Sequence, residues 1–221
     1  MGSTWTKRVP RRCRDSSRPG ECSCVSVHGA NRLGGNSLLE AIVFGKIAGE
    51  SASRFIREGG ACTSSEREVA DEARQFFERI AAVRRRDRGE NIYQILNQLK
   101  AVMSEKAGIF RKEKTLREGL EALPALRDAY AGAFISGTCE RYCQEMLAII
   151  EFEYMLEVAK AILRGALARE ETRGSHYRTD FPIRVDDGWL KHTILTSTEE
   201  GGRIEYRSVD VTKYSPEERK Y

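Results

Sequence analysis

The chain has 221 residues, 40% hydrophobic and 32% charged, and a formal net charge of +4. This composition suits a helix-rich globular chain, and no apolar run approaches the roughly 20 residues that cross a bilayer. The first residues also lack the apolar stretch of a secretory signal.

The positive charge is local. Residues 1–20 hold Lys7, Arg8, Arg11, Arg12, Arg14 and Arg18 against Asp15 alone, leaving 31 basic and 32 acidic residues elsewhere. A body without basic excess gives no charge-based reason to expect nucleic-acid binding. Residues 1–20 are rich in Arg, Ser and Pro and have no apolar period, so they read as a leader outside the fold.

From Leu38 the run LLEAIVFGKIAG reads as a buried helix capped by Asn36 or Ser37. Gly59-Gly60 breaks it. Ser65 followed by Glu68 is a capping-box signature. Val69, Ala73, Phe76, Phe77, Ile80 and Val83 then recur at helical spacing up to the basic run Arg84–Arg86. Ile92, Ile95, Leu96, Leu99, Val102 and Met103 mark another amphipathic helix. Thr115 and Glu118 are expected to open the next, with Leu116, Leu120, Leu123 and Leu126; Pro124 should kink or interrupt it. The last, from about Arg141 to Glu170, carries Met146, Ile149, Ile150, Leu156, Ala159 and Leu163. Helices with one apolar stripe each must pack on one another, which gives a mainly α, antiparallel helical bundle. After Gly174 the chain turns polar and aromatic, with short β-like pieces such as residues 203–207. This tail is expected to wrap the surface without forming a second core.

Six cysteines (Cys13, Cys22, Cys24, Cys62, Cys139 and Cys143) have neither a CxxC pair nor a histidine at ligand spacing. They read as reduced thiols, and no metal site is expected.

The stretch 28–40, HGANRLGGNSLLE, has a chemistry of its own. Gly34 and Gly35 let the backbone approach a ligand closely, and the following helix presents its positive end to developing negative charge. Arg32 offers a planar fork matched to a carboxylate. By itself this pattern is equally that of a capped helix with a salt-bridged arginine.

As a string it closely resembles the flavin-site motif of succinate dehydrogenase and fumarate reductase flavoprotein subunits. GIFRKEKTLREGLEAL (108–123), RGSHYRTDFPIRVDDGWLKHT (173–193) and the ending TKYSPEERKY resemble the same family's C-terminal region, so the likeness runs in order from residue 21 to 221. The resemblance implies a remnant of the FAD-binding domain over residues 21–60, a helical bundle over 61–170 and a tail over 171–221 packing on it. It implies that Glu21, Ser37 and Leu38 contact FAD and that Arg32 grips a carboxylate of succinate or fumarate. His28, in the same turn, reads as a positioning residue; Arg173, His176 and His192 read as structural. No catalytic residue is assigned.

Family members carry a dinucleotide-binding fold, a covalent flavin histidine in many cases, and a capping domain with a proton-transferring arginine. None of these is legible here, and no GxGxxG turn occurs in the chain. The expectation is therefore a C-terminal part that is inactive alone and does not bind FAD alone. Shifting the frame by one base, with permitted synonymous codons, turns residues 12–20 into Val-Pro-Gly-Leu-Phe-Ala-Ala-Gly, a family-like string. The leader therefore reads as out-of-frame sequence, against the alternative of a disordered basic arm.

In the family a hydride passes between the dicarboxylate and FAD, and electrons continue to an iron-sulfur subunit held by membrane-anchor subunits. The resemblance thus implies a cytoplasmic protein, peripheral at the inner face of the cell membrane through its partners. A non-catalytic helical interaction module and an L-aspartate oxidase-like fragment are the alternatives.

Overall fold

The computed structural model describes residues 23–59, 65–137, 142–196, 202–213 and 215–217. The leader 1–20, Glu21, Cys13, Cys22, Cys62 and Cys139 lie outside the described residues.

Five long helices follow in order: α1 (Asn36–Arg57), α2 (Glu66–Arg84), α3 (Ile92–Lys106), α4 (Glu113–Ala131) and α5 (Gln144–Ala168). A one-turn helix α6 (Asp186–Trp189) precedes the strands β5 (Lys191–Thr196) and β6 (Arg203–Ser208), which pair antiparallel. Two-residue strands tie the helix ends. β1 (Glu90–Asn91), just before α3, pairs parallel with β3 (Ala133–Phe134), just after α4. β2 (Phe110–Arg111), before α4, pairs with β4 (Tyr177–Arg178), which follows α5. The start of α3 therefore lies beside the end of α4, and the start of α4 beside the end of α5. The three run up, down and up.

Their facing stripes form one core. Ile92, Ile95 and Leu99 of α3, Leu116, Leu123 and Leu126 of α4, and Ile149, Phe152, Leu156, Ala159 and Leu163 of α5 are all buried together. The i, i+3, i+4 spacing of these residues puts each set on one helix face. Gly119 lets α4 meet α5 closely, for a Cβ there would stand 2.8 Å from Leu163 Cδ2.

Four expectations need correction. α4 is not interrupted at Pro124 but runs through it. Pro124 is exposed between buried Leu123 and Leu126, so the backbone bond it removes lies on the solvent side, where water can replace it. Nor does α4 open on Thr115: its N-cap is Lys112, without a side-chain cap, and Thr115 Oγ1 donates to the Lys112 carbonyl at 3.0 Å. α1 exists, but is not buried. Only Glu40 and Ala48 are buried along it, while Leu38, Ile42 and Ile56 are 72%, 71% and 69% exposed. Its N-cap is Gly35, in the left-handed region at φ 82, and neither Asn36 nor Ser37.

The capping box of α2 is present: Ser65 Oγ accepts from the Glu68 amide, and Glu68 accepts from the Ser65 amide. Yet α2 has no buried residue. It lies beside the bundle, joined to α5 by Arg79–Glu153, and just beyond its end Arg86 donates to the Ala133 carbonyl of β3. None of the helices among the described residues is long and apolar enough to cross a membrane.

Candidate functional site

The loop ahead of α1 is fixed from three directions. Glu40, one turn into the helix, is buried and accepts from Ser23 Oγ at 2.9 Å and bonds His28 Nε2 at 2.5 Å. These two bonds, with the nearby charges of His28 and Arg32, hold its carboxyl below the usual range against the opposing effect of burial. On another side Ser26 Oγ meets His192 Nε2 of β5 at 2.8 Å. On the third, the Ser175 amide and hydroxyl both donate to the Ala30 carbonyl.

Arg32 sits in this pinned loop, exposed, and close enough to Glu40 to depress its pKa. Ser37 is half-buried and Leu38 exposed at the first turn of α1. No heavy atom lies within 4 Å of where a Cβ would stand on Gly34 or Gly35. An open glycine backbone, an exposed leucine and the positive end of a 22-residue helix fit one side of a planar ring that takes up negative charge. Arg32, Ser37 and Leu38 all lie within the seven residues 32–38 that lead into and open α1. Sequence reasoning missed Glu40. Its signal was a carboxylate inside an apolar helical run, twelve residues after a histidine.

Behind the loop lies a buried ionic frame contributed by the tail. Arg169 and Arg173 both pair with Glu171, which is fully buried. Arg173 and Arg184 share Asp186, whose carboxyl they hold far below its ordinary range. Arg178 donates to the carbonyls of Ala166, Leu167 and Arg169 at 2.9, 3.1 and 3.2 Å, closing the C-terminal end of α5. Its other side grips Asp180 bidentately, and Asp180 accepts from the Glu113 amide at the start of α4. An arginine at a helix C-terminus and an aspartate at a helix N-terminus each oppose the local dipole, so one ion pair staples two helix ends. The Arg178 hydrogen bonds hold Asp180 at about 2. The tail therefore does more than wrap the surface.

His176 occupies the centre of this frame. The Arg111 guanidinium can only donate, so Nδ1 accepts from it at 3.1 Å, and Nε2 carries the proton donated to the Arg169 carbonyl at 3.2 Å. Burial, with the charges of Arg111, Arg169 and Arg178, pushes its pKa down from 6.5 to about 4. Between those values the unfolded chain binds more protons than the folded one. The neutral imidazole's contribution is whole above pH 6.5 and is lost as pH falls toward 4. The melting temperature is expected to drop across that window, and to drop less in His176→Gln. Parallel curves would remove His176 as the cause.

Cys24 and Cys143 are free thiols, and no cluster of His, Cys, Asp or Glu among the described residues could hold a metal ion.

A family model described as the fumarate reductase flavoprotein C-terminal region matches residues 96–221. The chain is 34% identical over 203 residues to the fumarate reductase flavoprotein subunit of Haemophilus influenzae, covering 91% of this chain and 34% of that protein. It is 32% identical to the succinate dehydrogenase flavoprotein subunit of Rickettsia bellii, with 90% and 33% covered. Among solved structures, a chain of E. coli quinol fumarate reductase superposes with a TM-score of 0.80 at 34% identity, over 90% of this chain and 34% of that one. The chain spans about a third of the length of these relatives.

Proposed function

The chain belongs to the family of fumarate reductase and succinate dehydrogenase flavoprotein subunits, and on that premise we propose that its loop and bundle serve a flavoprotein that interconverts succinate and fumarate. What supports this reading is that the loop carrying Arg32 leads directly into α1 and is held by hydrogen bonds joining Ser23 and His28 to Glu40 and Ser26 to His192.

Arg32 grips one carboxylate of the dicarboxylate through its fork. Ser37 and Leu38 lie against the flavin ring, and the α1 dipole favours the reduced, anionic flavin. Glu21, which lies outside the described residues, contacts FAD by the same resemblance. FAD, when bound, supplies the hydride chemistry. The chain's own part is to bind and orient the dicarboxylate. Residues 21–60 act as one wall of a flavin site, residues 61–170 as a helical body and residues 171–221 as a tail locking the two. One wall covers little of a dinucleotide, so tight FAD binding requires groups beyond these residues. In this reading an iron-sulfur subunit receives the electrons, and membrane-anchor subunits hold the assembly at the inner face of the cell membrane.

Arg32→Lys tests the assignment in a FAD-loaded flavoprotein containing these residues. The charge stays and the bidentate fork is lost, which should cost about 2–4 kcal/mol of transition-state stabilisation. That is read as a fall of roughly 30-fold or more in kcat/KM for fumarate. Activity at the parent level would take Arg32 out of the site.

A further inference from the structure

The ionic frame and the loop that carries Arg32 meet at one glycine. The segment Arg173–His176 is a tight turn closed on itself: the Arg173 amide donates to the His176 carbonyl at 2.8 Å, and the His176 amide to the Arg173 carbonyl at 3.0 Å. Its first residue is locked by Glu171 and Asp186, and its last by Arg111 and the Arg169 carbonyl. At the tip stand Gly174 and Ser175. Gly174 has φ +58, and a Cβ there would lie 2.4 Å from the Ala30 carbonyl oxygen, 2.6 Å from its carbon and 2.7 Å from its Cβ. Ser175 holds the same carbonyl with two hydrogen bonds of 3.4 Å. Ala30 is two residues before Arg32.

We propose that Gly174 is a positioning residue for Arg32: the Arg173–His176 turn is a rigid stop against which the motif loop is set. The bundle fixes the frame, the frame fixes the turn, and the turn fixes Ala30. Because Arg169, Glu171, His176 and Arg178 within the frame are buried and all hydrogen-bonded, it transmits position and does not yield. Glycine is needed for the contact and not only for the backbone. A side chain there must push Ala30, and with it the arginine fork, away from its setting. Displacement of a binding group by about 1 Å can cost on the order of a hundredfold in rate.

This inference rests on the reading of Arg32 as the carboxylate grip, and two measurements keep them apart. The first is amide hydrogen exchange of the full chain. Gly174→Ala should speed exchange of residues 28–35 by about tenfold or more, by opening the loop locally. Exchange in α4 and α5 and the melt by circular dichroism should stay at parent values. Gly174→Asn is the critical companion, because asparagine tolerates the left-handed backbone yet still carries a Cβ. It should loosen the loop as alanine does. Parent-like exchange in Gly174→Asn, or equal loosening of α4 and α5, would overturn the proposal. The second measurement is steady-state kinetics of a FAD-loaded flavoprotein containing these residues. Gly174→Ala should raise KM for fumarate by about tenfold or more. If Arg32→Lys impairs fumarate turnover and Gly174→Ala does not, the positioning role fails and the carboxylate grip stands. If Arg32→Lys changes nothing while the loop loosens in both glycine variants, the turn still sets the loop, but not for a carboxylate-gripping Arg32; that too overturns the proposal, and the functional reading with it.

Discussion

Glu171→Ala is expected to destabilise the chain by about 3–5 kcal/mol, because it leaves the buried Arg169 without its countercharge. Glu171 is 0% exposed. Burial pushes its carboxyl up, but hydrogen bonds from Arg173 and the Val185 amide, with the Arg173 and Arg169 charges, outweigh that and hold it below its ordinary value. Both oxygens are used. One accepts from Arg169 and from Arg173 Nε, the other from Arg173 Nη2 at 2.9 Å and from the Val185 amide at 3.0 Å. Removing the side chain leaves Arg173 with Asp186, but Arg169 keeps only neutral partners: the carbonyls of Trp189 and Lys191 and the Thr193 hydroxyl. Glu171→Gln should cost less, since an amide oxygen still accepts. Urea unfolding of the three proteins measures the difference as a shift in midpoint at constant slope. A loss under about 1 kcal/mol for alanine would mean that water reaches Arg169 once Glu171 is gone, and that the frame is not the rigid element described above.

The bundle was legible because its signal is local. Ser65 and Glu68 are three residues apart, and the stripes of α3 and α5 repeat within a single helix, so a window of a dozen residues contains the evidence. What escaped depends on partners distant in sequence. The first amide of α4, that of Glu113, is held by Asp180, 67 residues further along the chain; Thr115 and Glu118 imitate a local cap that the fold does not use. The α1 pattern also misled. An apolar run states that a helix can be buried, not that these residues supply what covers it. Within the chain only Glu40 and Ala48 are covered.

The site divides in the same way. Arg32, Ser37 and Leu38 were named through a resemblance carried by thirteen consecutive residues, 28–40. Glu40 lies at the end of that same string and was passed over, because its partners Ser23 and His28 become visible only when the loop folds back on α1. His192 reads as structural in the sequence, but its partner Ser26, and the contact of Gly174 and Ser175 with Ala30, were further out of reach. Ser26 is 166 residues from His192, and Ser175 is 145 residues from Ala30. No periodicity links such pairs. They show why a tail without a core of its own can still matter to the loop: it supplies contacts that neither the loop nor the bundle has.

Phe152→Ala is expected to cost about 3–5 kcal/mol, the range for a large aromatic removed from a packed core. Phe152 is 0% exposed at the middle of α5, in the stripe with Ile149 and Leu156 and amid the facing residues of α3 and α4. The Tyr130 ring, from the end of α4, lies 5.3 Å from its centroid, tilted by 33°. Alanine leaves a void that three helices cannot close together, since each is tied to another at its ends by β1–β3, β2–β4 or the Arg178–Asp180 staple. Phe152→Leu keeps most of the volume and should lose much less. The contrast that tests the architecture is Phe77→Ala on α2. Both phenylalanines stand on apolar stripes in the sequence, yet Phe77 is 66% exposed. If the core belongs to α3, α4 and α5, the Phe77 variant should change stability by no more than about 0.5 kcal/mol. Equal losses for the two variants would make α2 a full member of the core and would contradict the three-helix arrangement.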